Sequence, residues 1–252
     1  MWDAAVPFDS DRADRPASGG PALHVYLLGL VEFEAALQLQ RQLVYHASDT
    51  DAQAALLLCE HPPLITVGRQ GSHAHILYDP EELQARRWPV RWVNRGGGCL
   101  LHLPGQLAIY SILPLKSLRL GLRDYLDRLH RTVVAVLDDF SVHAETRPGR
   151  AGVWVGNRPV AGVGVAVRDW VTWYGAVLNV NPDLMPYRLV RSGDEGPMTS
   201  LARERHGPVR MALVRQSLVE HFARAFGLGR TSIFFSHPSL GKQSHQRVQV
   251  AD

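Results

Sequence analysis

Residues 152–180 restrict the possible folds more than any other stretch of the chain. Gly152–Val155 and Val160–Val167 are short apolar runs flanking Gly156-Asn157, a pair suited to a tight hairpin turn. Another apolar run, Val171–Val180, follows almost at once. Consecutive hairpin strands of this kind argue against an all-parallel sheet. Upstream, Leu122, Tyr125, Leu126, Leu129, Val133, Val136 and Leu137 share one face of a helix over 122–137. A second helix is expected over 32–46, where Gln40 interrupts a stripe of Phe33, Ala36, Leu37, Leu43 and Val44. A third is expected over 208–226, with Pro208 in its first turn and Gly227 as its C-terminal cap. Ala54–Cys59, Leu64–Val67, Val90–Val93 and Leu107–Leu113 read as further strands, the first two split by Pro62-Pro63. Helices lying between strand groups predict an α+β (mixed α/β) domain: a mixed β-sheet with flanking helices, not a doubly wound parallel sheet.

The 252 residues suffice for one large domain or two small ones. No linker divides them, so the expected arrangement is an N-terminal tail over 1–22, one domain over 23–228 and a mostly flexible tail over 229–252. No apolar run reaches the ~18 residues of a membrane span, and no charged-then-apolar leader is present. The expected compartment is the cytoplasm. Two cysteines exclude a disulfide framework and a Cys-rich zinc module. His73 and His75 form a His-x-His pair without a third ligand, so no metal is expected. The cations are almost all arginine, with Lys116 and Lys242 the only lysines. Residues 201–252 carry a net +5 and the remainder −2, but no Lys/Arg run is dense enough to argue for nucleic acid. The tryptophans Trp88, Trp92, Trp154, Trp170 and Trp173 read as core or tunnel lining.

Five segments carry chemistry. Glu60-His61-Pro62-Pro63 leads to Gly68-Arg69. Arg95-Gly96-Gly97-Gly98-Cys99-Leu100-Leu101-His102-Leu103-Pro104-Gly105-Gln106 holds three successive glycines, which allow close approach of a ligand to the main chain. This loop lacks the Lys and hydroxyl of a phosphate-binding loop. Then come Gly152-Val153-Trp154-Val155 through Gly162-Val163-Gly164, and Gly175-Ala176-Val177 through Asn179-Val180-Asn181-Pro182-Asp183-Leu184. Last are Ser192-Gly193 and Thr199-Ser200-Leu201. In this order the blocks resemble the lipoyl(octanoyl)transferase family, over roughly residues 26–226. The resemblance implies the fold shared by lipoate and biotin ligases, with one acyl tunnel and a Gly-rich loop at its mouth. It implies transfer of an octanoyl group from acyl carrier protein to a lysine of a lipoyl domain of 2-oxoacid dehydrogenase or glycine cleavage proteins. It further implies a monomer with no cofactor. Arg95 to His102, Gly162 to Gly164 and Gly175 to Val177 would contact the substrate. Arg210, Arg215 and Arg224 are candidates for a face docking an acidic carrier.

The sequence departs from the family at the chemistry itself. The family's nucleophilic cysteine aligns with Ser192 and its lysine with Pro159. A nearby cation lowers a thiol pKa, whereas a serine hydroxyl needs a general base. His102 is the candidate base, and Cys99 the candidate for a displaced thiol. Three readings follow: a non-catalytic protein binding an acyl chain, a carrier or a lipoyl domain; an acyltransferase using Ser192 with His102; or one using Cys99. A further alternative is an interaction protein with no ligand, whose tunnel would be plugged by side chains. Leu100, Leu101 and Leu103 stand where the family has polar or small residues, and predict a narrower, more apolar tunnel mouth.

Overall fold

The computed structural model describes residues 21–49, 53–191 and 196–240. In chain order the elements are β1 (Ala22–Leu30), α1 (Phe33–Asp49), β2 (Gln53–Glu60), β3 (Leu64–Val67), α2 (Pro80–Ala85), β4 (Val90–Trp92), β5 (Cys99–His102) and β6 (Gln106–Ile112). They continue with α3 (Leu122–Asp139), β7 (Gly152–Val155), β8 (Arg158–Arg168), β9 (Val171–Asn179), α4 (Leu201–Glu204), α5 (Met211–Phe226) and β10 (Thr231–Phe234).

Seven strands form one sheet in the order β10-β1-β2-β6-β9-β8-β7. The β10/β1 and β1/β2 pairs are parallel and the rest antiparallel. The sheet is therefore mixed, as the hairpin pattern predicts. A second sheet, β4-β3-β5, pairs β3 parallel to β4 and antiparallel to β5.

One face of the large sheet is covered by α3 and α5. Tyr125, Leu129, Val133, Val136 and Leu137 of α3, and Val214, Leu218, Phe222 and Phe226 of α5, meet Leu56, Leu58, Leu107 and Ile109 of the sheet. Burying this many large apolar side chains, at about 1.5–3 kcal/mol each, is the main force holding the helices there. The other face receives α1 through Phe33, Ala36, Leu37 and Leu39. Gln40, the polar break in the α1 stripe, is fully buried, and its Oε1 accepts the Tyr174 backbone N–H at 2.8 Å. That bond serves a residue held at φ 58°, within strand β9. A third apolar cluster lies under the small sheet, among Ile65, Val67, Tyr78, Leu101, Leu103, Tyr187 and Val190.

Four local expectations change. Residues Thr231–Phe234 form an edge strand on β1 although their sequence is half polar; parallel pairing from Leu23↔Thr231 to Tyr26↔Phe234 supplies the order that side-chain pattern does not show. Pro208 lies ahead of α5, which starts at Met211 after Arg210. Gly227 does cap it, at φ 62°. Cys99–His102 is a strand, not loop. Trp154 is buried, but Trp92 on edge strand β4 and Trp170 at the β8–β9 turn are more than half exposed. Among the described residues no helix is long and apolar enough to cross a membrane.

Candidate functional site

The site forms where the Gly-rich loop after β4 crosses the large sheet at β8. Backbone lies directly on backbone. Gly96 N–H donates to the Val165 carbonyl at 2.9 Å. A Cβ on Gly164 would sit 2.7 Å from the Gly96 carbonyl oxygen, and one on Gly68 2.5 Å from that of Gly97. The glycines of two distant segments are thus one packing requirement. Beside them, a Cβ on Gly175 would fall 2.2 Å from the Ile109 carbonyl oxygen, so β9 can approach β6 only without a side chain there.

Arg95 ties the loop down. Its guanidinium donates to the carbonyls of Gly96 (3.0 Å), Gly98 (3.1 Å) and Thr66 (3.0 Å), and to Thr66 Oγ1 at 2.7 Å. Burial pushes its pKa down to about 10, which leaves it charged at neutral pH. Its donors are spent on the protein, so Arg95 shapes the loop more than it presents charge to a ligand.

Two cavities meet at Leu100. The outer one, about 250 Å³, is bounded by Gly97, Gly98, Cys99, Leu100, Gly162 and Val163, by the loop Gly149–Ala151, and by Gln70, Pro159 and Met198. The inner one is reduced to about 10 Å³ and lies among Phe33, Leu100, His102, Tyr110, Gly162, Gly164, Tyr174, Gly175, Ala176 and Val177, with Arg95 bordering both. Strand geometry explains which side chains face in. Successive residues of β5 point to opposite sides, so Leu100 and His102 face the inner cavity. Leu101 and Leu103 pack into the apolar cluster under the small sheet instead. Of the three leucines expected at the mouth, the structure brings only Leu100 to it.

His102 and Tyr110 bring polar groups to the otherwise largely apolar inner wall, and His61 backs Tyr110 from behind. His61 Nδ1–H donates to the Val31 carbonyl at 2.6 Å, and its Nε2 accepts from Tyr110 Oη at 2.7 Å. With both ring nitrogens matched to a neutral imidazole, burial pulls its pKa down to about 4. Burial, together with the nearby His61 and Arg95, holds His102 well below the usual histidine range. Its Nε2 lies 3.0 Å from Thr66 Oγ1. Burial raises the Tyr110 hydroxyl well above its usual value.

The remaining motif blocks act as struts. Glu60 accepts from the Gly105 N–H at 2.8 Å and from the Arg215 guanidinium at 2.9 Å, joining the Pro104-Gly105 turn to α5. Arg215 therefore turns inward, while Arg210 and Arg224 remain exposed. Gln106 Nε2 bonds to Asn179 Oδ1 and Tyr187 Oη, both at 3.0 Å, and Asn179 Nδ2 to the Thr199 carbonyl. Thr199 N–H donates to the Pro159 carbonyl at 2.9 Å, and its hydroxyl to Glu204. Glu204 in turn holds Arg158 in a two-pronged pair at 2.9 and 2.8 Å. The Thr-Ser-Leu block is thereby fixed against the outer cavity.

Pro159 lies on the outer cavity wall and His102 on the inner one, with Leu100 between. Cys99 is buried. Its thiol donates to the Ser72 carbonyl at 3.4 Å, and burial raises its pKa. Ser192 and Gly193 lie outside the described residues. Among the described residues lining the outer cavity there is no lysine, histidine or carboxylate; Arg95 and Arg150 are its only cations. Sequence reasoning missed Thr66, Phe33 and Tyr110 as parts of the site. A lone Thr inside the apolar run of β3 was the available signal for the first.

Comparison with known proteins agrees with this arrangement. The sequence model of the lipoyl protein ligase A/B catalytic domain matches residues 32–223. An octanoyltransferase of Gloeobacter violaceus is 39% identical over 202 residues, covering 79% of this chain and 88% of that protein. One from Geotalea uraniireducens is 37% identical over 202 residues, covering 79% and 91%. Among solved structures, a lipoate-protein ligase A crystallised with ATP superposes with a TM-score of 0.70 at 14% identity, covering 87% of this chain and 91% of that one. The bipartite lipoate protein ligase of Thermoplasma acidophilum, studied with its E2 lipoyl domain, gives 0.68 at 15% identity, covering 88% and 90%. The family-model match and the identity to these octanoyltransferases make the chain a member of the lipoyl protein ligase A/B catalytic domain family.

Proposed function

We propose that this protein binds a medium-chain acyl group in the cleft at Leu100, together with the acyl carrier and lipoyl domains that the family resemblance implies, and that it does not transfer the group by the cysteine–lysine route. The carrying observation is the outer cavity wall. Pro159 stands there where the family resemblance puts the lysine, and its carbonyl is occupied by the Thr199 N–H. Proline has neither a cation to stabilise a thiolate nor an ionisable group to move a proton. No other described wall residue supplies a general base. His102 does not fill the gap: it sits behind Leu100 beside Thr66, and its depressed pKa makes it a weak base. Cys99 keeps its proton and bonds inward. The scaffold features serve binding: the glycine crossing, the Arg95 clamp and the largely apolar inner wall are present without the reactive pair.

The test is the mass of this chain after incubation with octanoyl-loaded acyl carrier protein. The expected result is an unmodified mass together with saturable binding of the loaded carrier. A stable +126 Da octanoyl adduct would overturn the non-catalytic reading, and its loss in Ser192→Ala or Cys99→Ala would name the nucleophile (the increment is octanoyl replacing one hydrogen, on the order of the acyl mass itself).

A further inference from the structure

We infer that Leu100 is the residue that sets acyl chain length in this protein, acting as a partition between the outer and inner cavities. The inference deepens the acyl-binding reading above and rests on it. Leu100 borders both cavities, which share Arg95 and Gly162 as well. Its Cδ2 lies 3.2 Å from where a Cβ on Gly162 would be, and Val177 Cγ2 lies 3.6 Å from that same point. The side chain thus rests on the bare backbone of β8, next to the β9 wall. Behind it the free volume falls from about 250 Å³ to about 10 Å³. The smaller figure is about the space one water needs, and no acyl carbon fits beside the walls as they stand. Yet those walls are built for a chain. Phe33, Tyr174, Ala176 and Val177 offer apolar surface, and Gly164 and Gly175 keep the strands close and bare. The leucine, not the walls, closes the passage. Its neighbours cannot substitute for it, because Leu101 and Leu103 face the opposite cluster.

In the resting arrangement an acyl chain therefore ends against Leu100. Each methylene buried contributes about 0.8 kcal/mol, or roughly fourfold in affinity. Affinity should climb at that rate with chain length until the terminal methyl meets Leu100, and then level off. Leu100→Ala joins the two cavities and lets the climb continue.

The experiment is calorimetric titration of straight-chain fatty acids from hexanoate to dodecanoate into the full chain and its variants. Leu100→Ala should move the plateau longer by two carbons or more, a gain of roughly fifteenfold for the longest chains bound. Leu100→Phe should move it shorter, and Gly162→Ala, which presses on Leu100, should do the same. Circular dichroism melts establish folding, and if Leu100→Ala does not fold the Leu100→Phe shift decides. Identical length profiles in wild type and the folded variants would overturn the partition while leaving acyl binding intact. Failure of every protein to bind any chain length would instead overturn the acyl-site reading and the partition with it.

Discussion

Acidification should destabilise this protein through its buried histidines, and His61 sets the scale. Its imidazole is neutral in the fold, donating to the Val31 carbonyl and accepting from Tyr110, with a pKa lowered by burial to about 4 from the ordinary value of 6.5. The unfolded chain therefore binds the proton first. Between pH 6.5 and 4 the unfolded state carries more protons at this site, so stability falls as pH falls; above 6.5 the contribution is fully present, and below about 4 the loss is complete. A gap of 2.5 between those two values, at about 1.36 kcal/mol each, amounts to about 3 kcal/mol. His102, shifted the same way by burial, His61 and Arg95, adds to the loss. For a domain of this size the His61 share alone corresponds to about 6–12 °C in melting temperature. Carboxylates titrate in the same range, so the informative quantity is a difference. His61→Asn keeps a donor toward Val31 and removes the titrating ring. At pH 7 it should be less stable than wild type by about 1–3 kcal/mol, because the Tyr110 hydroxyl loses its acceptor. Toward pH 4 the two stability curves, measured by urea unfolding, should converge. Parallel curves would refute the assignment, as would an NMR titration placing the His61 ring near 6.5.

Other consequences are simpler. Gly175→Ala and Gly164→Ala should each cost about 3 kcal/mol or more, since their Cβ atoms would fall 2.2 and 2.7 Å from backbone oxygens; unchanged melting temperatures would show that the crossing relaxes. Glu60→Ala leaves the Gly105 N–H and the Arg215 guanidinium without their carboxylate and should cost about 2–3 kcal/mol in urea unfolding. Glu60→Gln should recover part of that loss. Glu204 is opposed by burial, but its bonds to Arg158 and Thr199 hold its carboxyl below the usual range. Its support is therefore present above the ordinary carboxylate pKa and lost as pH falls through the lowered one. Glu204→Gln should flatten that part of the acid limb.

The fold was legible where local pattern and tertiary need agree. The stripes of α3 and α5 and the β7–β8 turn at Gly156-Asn157 all announce themselves, and the mixed sheet follows from them. β10 did not, because an edge strand needs only a partner, and β1 provides it without asking for apolar alternation. β1 was not read as a strand either, although only its first residue, Ala22, falls within the expected N-terminal tail. Alternation could have sorted the Gly-rich segment. Once Cys99–His102 is a strand, Leu100 and His102 must part from Leu101, but three glycines and a proline around it read as loop. Polar residues within or at the start of apolar runs were an underused signal. Gln40 breaks the α1 stripe, Thr66 sits inside β3 and Gln106 opens β6, and each is buried and bonded across the domain. The Pro159 departure was visible from sequence alone. Its place on the same cavity wall as Met198 and the Gly-rich loop needed three dimensions.

The central claim is an acyl-binding scaffold that lacks the reactive pair. The most direct measurement is intact-mass spectrometry of an apo lipoyl domain mixed with octanoyl-loaded carrier protein and either wild type or the Ser192→Cys/Pro159→Lys double variant. No octanoyl mass is expected on the lipoyl domain with wild type, and octanoylation is expected with the double variant. Octanoylation by wild type would contradict the claim.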